Sequence, residues 1–219
     1  MKICKQMLLM LLVLSATNVA HAADLMQGKQ RTARTIRLEA IVNASPSEVY
    51  RRWTTEEGVK NFLAPAAHID ARSGGEYTIV FVPDKDPQGL SHGTSGARVL
   101  RAEPGKRLWF EWITFASDAS LGANGPPIVP VAMRNTPPLP TWVEIELEPA
   151  NAQGTTTLVK FAHYGFPQKG FPQRSVPHKK WDEALRWFTI QWRGVLDRLQ
   201  QSFTHAAERC GCRDRVVIA

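Results

Sequence analysis

Between residues 177 and 205 apolar side chains return every three or four positions: Trp181, Leu185, Phe188, Trp192, Val195, Leu199 and Phe203. At helical pitch these fall on one stripe, and Lys180, Glu183, Arg186, Arg193, Asp197, Arg198 and Gln201 fall on the opposite face. Pro177 suits a first helical turn, where its missing N–H has no partner to lose. Gly194 costs such a helix only about 1 kcal/mol against Ala. A rod of roughly 40 Å has to lay its apolar side across something broad, and a sheet is the broad surface the remaining sequence can build.

The rest of the chain supplies that sheet. Positions 34–43 alternate, with Ile36, Leu38, Ala40 and Val42 on one face and Arg37, Glu39 and Ile41 on the other, as a half-buried strand does. Ser45-Pro46-Ser47-Glu48 opens a short helix: Ser45 is the N-cap, Pro46 its first residue and Glu48 the partner in a capping box. Val49, Tyr50 and Trp53 form its inner side, Gly58 ends it, and 59–63 makes one more turn before Pro65. Strands are expected at 67–72 and 76–82 around Gly74-Gly75, and at 94–102 and 107–115 around Glu103-Pro104-Gly105-Lys106. The 107–115 strand is apolar on both faces, which marks it as central or covered. Two more follow at 142–148 and 155–163, turned by residues 151–154, with Val143, Ile145, Leu147, Val159, Phe161 and His163 facing inward. Between Pro126 and Pro140 there are six prolines, so 116–140 reads as an insertion without a period, a lid or a disordered segment. Strands followed by a long helix argue for an α+β domain with a curved antiparallel sheet of about six to seven strands against one helix.

Composition changes this picture mainly at the ends. Lys2 and Lys5 precede the apolar run 7–14, and Ala20-His21-Ala22 is a small-x-small cleavage site, so residues 1–22 have the pattern of an export signal. The apolar run is too short to span a bilayer comfortably. Residues 23–33 are a polar lead-in, 34–205 the domain, and 206–219 a flexible tail. The formal net charge of +7 falls to +5 without the signal, since 27 basic residues lose two and the 20 acids none. The basic residues form no stripe interleaved with aromatics, and no nucleic-acid partner is expected. The mature chain keeps Cys210 and Cys212, too close together to staple a fold. They can pair with another chain, close a strained ring or hold a soft metal, and a mobile tail is the plainer reading.

Seven local motifs, taken in order, resemble one family. They are Ala44-Ser45-Pro46-Ser47-Glu48-Val49-Tyr50-Arg51-Arg52-Trp53-Thr54; Arg72-Ser73-Gly74-Gly75-Glu76-Tyr77; Val99 through Glu103-Pro104 to Arg107-Leu108; and Phe110-Glu111-Trp112. Val143-Glu144-Ile145-Glu146-Leu147-Glu148-Pro149, then Thr157 through His163-Tyr164-Gly165-Phe166, then Trp181 through Leu185 complete the set. The chain resembles the activator of heat-shock protein 90 ATPase homologue family, a branch of the START-related helix-grip superfamily (SRPBCC), over about residues 35–202. The resemblance implies a helix-grip fold. The superfamily hosts lipid carriers, cyclases and aromatases, hormone receptors and co-chaperone domains, so the fold alone implies no reaction. The chain departs from the family in its export signal, its long 116–140 insertion and its Lys179-Lys180-Trp181 helix start, where a Gly-Trp pair is common. Export would put a cytosolic ATP-dependent chaperone out of reach.

Candidate chemistry is sparse. Within the domain His68, His92, His163 and His178 show no metal-ligand spacing and the cysteines no zinc pattern; neither metal nor cofactor is expected. His163 lies on the inward parity of its strand, so it is either a core histidine or a general acid/base, with Tyr77 as a partner. The aromatics carry more. Trp53, Tyr77, Phe81, Phe110, Trp112, Phe161, Trp181, Phe188 and Trp192, with Leu185 and His163, are expected at the space between sheet and helix. Such a lining suits a small apolar or aromatic ligand, although the same rings also fill a core. The leading expectation is a periplasmic or secreted ligand-binding domain with no membrane span after cleavage. A cyclase- or hydrolase-like enzyme using His163 and a protein-interaction module are the rivals.

Overall fold

The computed structural model describes residues 34–90, 92–112, 141–166 and 178–209, with side chains of the last segment described for 182–204. The expected signal, lead-in, 116–140 insertion, connection into the long helix and tail fall wholly or mainly outside these residues.

Strand β1 (Arg34–Val42) leads into α1 (Pro46–Thr54) and α2 (Glu56–Lys60), followed by β2 (Ala66–Ile69), β3 (Tyr77–Val80), β4 (Val99–Glu103), β5 (Arg107–Trp112), β6 (Thr141–Pro149), β7 (Thr157–Phe166) and α3 (His178–Arg209). Five strands form one antiparallel sheet in the order β1-β7-β6-β5-β4, and β2 and β3 pair separately. The bridges Glu76↔Arg98 and Val80↔Gly93 tie that hairpin to the chain entering β4.

The local chemistry accounts for the elements. Ser45 caps α1 with a full capping box: its hydroxyl oxygen accepts from the Glu48 amide, and the Glu48 carboxylate accepts from the Ser45 amide at 2.9 Å. Thr55 caps α2 in turn, accepting from the Gly58 amide at 3.0 Å. Strand β5 lies between β6 and β4 and is buried on both faces, with Leu108, Phe110 and Trp112 inward and Trp109 outward. The sheet begins later than expected on one side: residues 94–98 are not strand. There the Thr94 hydroxyl takes the place of a neighbouring backbone, accepting from the Ile79 amide at 2.7 Å and donating to the Tyr77 carbonyl at 2.9 Å.

Alternate residues of β5, β6 and β7 meet α3 in a single core, where Phe188, Trp192, Val195, Leu196 and Leu199 come from the helix. From Leu185 to Phe203 the stripe read from sequence is therefore the side of α3 that packs on the core, each fully buried large side chain contributing about 1.5–3 kcal/mol. Polar contacts fix the same helix at its far end. Arg198 Nε donates to the Phe62 carbonyl at 2.8 Å, Arg52 Nη2 donates to the Ser202 carbonyl at 3.2 Å, and Arg52 stacks over the Phe203 ring at 4.7 Å.

Candidate functional site

The inward face of the sheet and the buried side of α3 meet in a chain of aromatic rings. Trp192 packs edge-on against Trp112 at 4.8 Å between centroids and tilts over Phe161 at 4.6 Å. Phe81 reaches Trp112 at 6.2 Å from the β3 side, and Tyr77 stacks on Phe110 at 4.0 Å. Phe188 and Phe166 pack against His163 at 5.1 and 4.7 Å and against each other at 5.9 Å. These distances are those of aromatic pairs in contact, so around His163 the interior is filled with protein.

His163 is fully buried, and both ring nitrogens are occupied. The Trp192 indole N–H donates to Nδ1 at 2.9 Å. The Thr141 hydroxyl donates to the Trp112 carbonyl at 2.7 Å, which leaves its oxygen to accept from His163 Nε2–H at 2.8 Å. Indole is a donor only, so the network assigns the neutral tautomer with the proton on Nε2. Protonation of Nδ1 would set two donors against each other, and burial pulls the pKa down to about 3. The residue is held as a neutral linker between β6, β7 and α3. Tyr77, read with it as an acid–base partner, is also buried; its hydroxyl donates to the Trp53 carbonyl at 2.7 Å, and burial raises its pKa.

The eleven residues singled out from sequence therefore divide. Trp53, Tyr77, Phe110, Phe161, His163 and Trp192 are at most 2% exposed and belong to the closed core. Trp112 and Phe188 are buried, while Phe81 and Leu185 are half-buried and pack on the core from its margin. Trp181 lies in α3 with its side chain outside the described set. Of these eleven, Trp53 carries a buried donor with no acceptor among the described residues, its indole N–H; its ring meets Phe62 edge-on at 4.7 Å.

Sequence periodicity gave less attention to the outward face of the sheet. Arg37, Glu39, Glu144, Glu146, Lys160 and Tyr164 surround an open depression of about 430 Å³ there. The Tyr164 hydroxyl donates to Glu144 at 2.7 Å, Arg107 pairs with Glu144 and Glu146, and Lys160 pairs with Glu148 at 2.6 Å. Burial, then the bonded carboxylate, pushes the Tyr164 pKa up to about 12. The signal for this face was the unbroken alternation of Glu144, Glu146 and Glu148 with apolar residues. Beneath it Gly165 has φ +98°, and a Cβ there would stand 2.9 Å from the Trp142 ring, so the closeness of that ring requires glycine. No metal-binding cluster occurs among the described residues, and no described helix is long and apolar enough to cross a membrane.

Solved structures share this architecture. A protein from Mesorhizobium loti is 17% identical, with a TM-score of 0.54 over 78% of this chain and 98% of its own. One from Nitrosomonas europaea is 19% identical (TM-score 0.50, 80% and 96% covered), and one from Staphylococcus saprophyticus 14% identical (TM-score 0.50, 79% and 93% covered). At such identities the likeness concerns the fold, an α+β helix grip. No curated protein matches the chain. The model of the family described as "Activator of Hsp90 ATPase homolog 1-like protein" matches residues 43–203, from the end of β1 into the last turns of α3, and the chain belongs to that family.

Proposed function

We propose that this is an exported member of the family that binds a small apolar or aromatic molecule at the margin of the ring chain, without catalysing a reaction. The observation that carries this reading is the gradation from Phe161 and Trp192, sealed in the core, through Trp112 to the half-buried Phe81, with half-buried Leu185 on the helix two turns before Trp192. A flat apolar molecule placed against Phe81 and Leu185 would extend the stack already present and lose water from its faces. Trp53, Tyr77, Phe110, Phe161 and His163 then act as the rigid wall behind the site rather than its lining. Export is supported by Lys2, Lys5, the apolar run 7–14 and Ala20-His21-Ala22.

The enzymatic rival needs His163 to exchange a proton, and its geometry favours no such step: both nitrogens are bonded within the protein and neither is exposed.

A fluorescent apolar probe tests the reading. It is expected to bind the wild-type protein with a rise in emission, and Phe81→Ala should weaken binding roughly tenfold, the loss of one ring contact in a small-ligand site, at unchanged circular dichroism. Equal affinity of the two proteins, or no binding by the wild type, would contradict it.

A further inference from the structure

On the outward face of the sheet the cross-strand row Glu103, Arg107, Glu146, Lys160, Glu39 alternates in charge across β4, β5, β6, β7 and β1, the favourable arrangement for directly opposed residues. The adjacent row has a gap. There Glu144 of β6 and Arg37 of β1 flank Ala162 of β7, a single methyl group between long side chains, with Lys160 and Tyr164 two residues away on either side. The depression of about 430 Å³ lies over this gap. Glu144 and Glu146 wall it on the β6 side, Arg37 and Glu39 on the β1 side, and Lys160 and Tyr164 stand at its two ends. Its volume falls within the range of small-molecule sites, roughly 300–1,000 Å³.

Most of this wall is already engaged. The Tyr164 hydroxyl donates to Glu144 at 2.7 Å, Arg107 pairs with both Glu144 and Glu146, and Lys160 donates to Glu148 at 2.6 Å. These bonds hold the β6 side and both ends in place. The β1 side differs. The Arg37 guanidinium lies over the Tyr164 ring, 5.6 Å from its centroid, and among the described residues it forms no ion pair. Glu39 accepts no hydrogen bond among the described residues; Lys160, bonded to Glu148, attracts it without bonding it. Both side chains are exposed. The depression therefore offers a guanidinium beside Tyr164 and a carboxylate beside Lys160, toward opposite ends of one wall.

We propose that this depression binds a short peptide with free termini, its carboxylate on Arg37, its ammonium on Glu39 and its body over Ala162. Charge selects the class. A simple anion on Arg37 would also face the carboxylates of Glu39, Glu144 and Glu146, and a simple cation on Glu39 would face Arg37 and Lys160. A zwitterion answers both uncommitted charges at once, each through a charge-assisted bond. Length selects within the class. Two residues of strand set Arg37 and Glu39 about 7 Å apart at the backbone, and Arg37 leans farther from Glu39, toward Tyr164. The two ligand charges must therefore stand several ångströms apart, as the termini of a di- or tripeptide do and those of a single α-amino acid do not. The site lies on the sheet face opposite the aromatic core and is independent of the apolar guest proposed above.

Isothermal titration calorimetry of the full chain with trialanine at low salt tests this. The wild type is expected to bind one molecule saturably. Arg37→Gln and Glu39→Gln each remove one charge-assisted bond and should raise the dissociation constant roughly tenfold or more. Capped peptides assign the partners: trialanine amide should bind Arg37→Gln as it binds the wild type, and N-acetyl-trialanine should bind Glu39→Gln as it binds the wild type, both more weakly than trialanine binds the wild type. Ala162→Leu fills the gap and should abolish binding at unchanged circular dichroism; the two substitutions at exposed positions carry the test if that variant misfolds. No binding by the wild type, capped peptides held as tightly as the free one, or an affinity that either Arg37→Gln or Glu39→Gln leaves unchanged would overturn the proposal.

Discussion

The indole of Trp192 joins helix to sheet through a single buried hydrogen bond to His163, and its removal has a calculable direction. Trp192→Phe leaves His163 Nδ1 without a donor in a dry site, so it should cost about 1–3 kcal/mol beyond the smaller ring. Trp53→Phe makes the same ring contraction but breaks no bond, since that N–H has no acceptor among the described residues. Urea denaturation of both should show Trp192→Phe the more destabilised by about 1 kcal/mol or more; equal losses would contradict the network. His163 itself predicts a pH dependence. Its folded-state pKa lies near 3, below the ordinary 6.5, so the unfolded chain takes up a proton that the folded chain refuses. This contribution to stability is complete above pH 6.5 and is lost as pH falls toward 3, with a limiting slope of about 1.4 kcal/mol per pH unit. Between pH 6.5 and about 5, His163→Gln should show a shallower decline of unfolding free energy than the wild type. Parallel declines would mean that the imidazole is not held neutral.

Elements differ in how far they can be read from sequence, and the difference follows where their stabilising contacts lie. The long helix, the Ser45 cap and strands β6 and β7 were legible because their signals are local: a period, a capping box, an alternation. The strand expected over 94–102 was not, because residues 94–98 meet β3 through isolated contacts rather than a continuous ladder: the Thr94 amide and hydroxyl bond to Ile79 and Tyr77, and the Ala97 carbonyl accepts from the Tyr77 amide. That contact can be tested at its own scale. Thr94→Val preserves shape while leaving the Ile79 amide and the Tyr77 carbonyl without this partner, and should cost about 1–3 kcal/mol, with faster amide exchange along β3. Unchanged exchange at Ile79 would contradict the role given to the hydroxyl. The candidate site was legible only in part for a related reason. Strand parity located Phe161 and His163 on the inward face, but parity cannot distinguish a ring that seals the core from one that borders a gap. That depends on its partners across the sheet and on α3, such as Trp192 for Phe161 and Trp112 for Phe81.

At the scale of the whole molecule the fold supplies a rigid aromatic wall on one side of the sheet and an alternating charge array on the other. The first is the wall against which we propose that a small apolar guest binds. The family match and the structural likenesses extend to the domain and its fold; the guest and the export route are our reading of the rings and of residues 1–22. Native mass spectrometry of the protein recovered from the periplasm of its own host tests both together. The account predicts a chain beginning at Ala23 that carries an apolar molecule of defined mass, released when the protein is denatured. A chain of full length, or a mature chain repeatedly recovered empty and unable to take up an apolar probe, would contradict it.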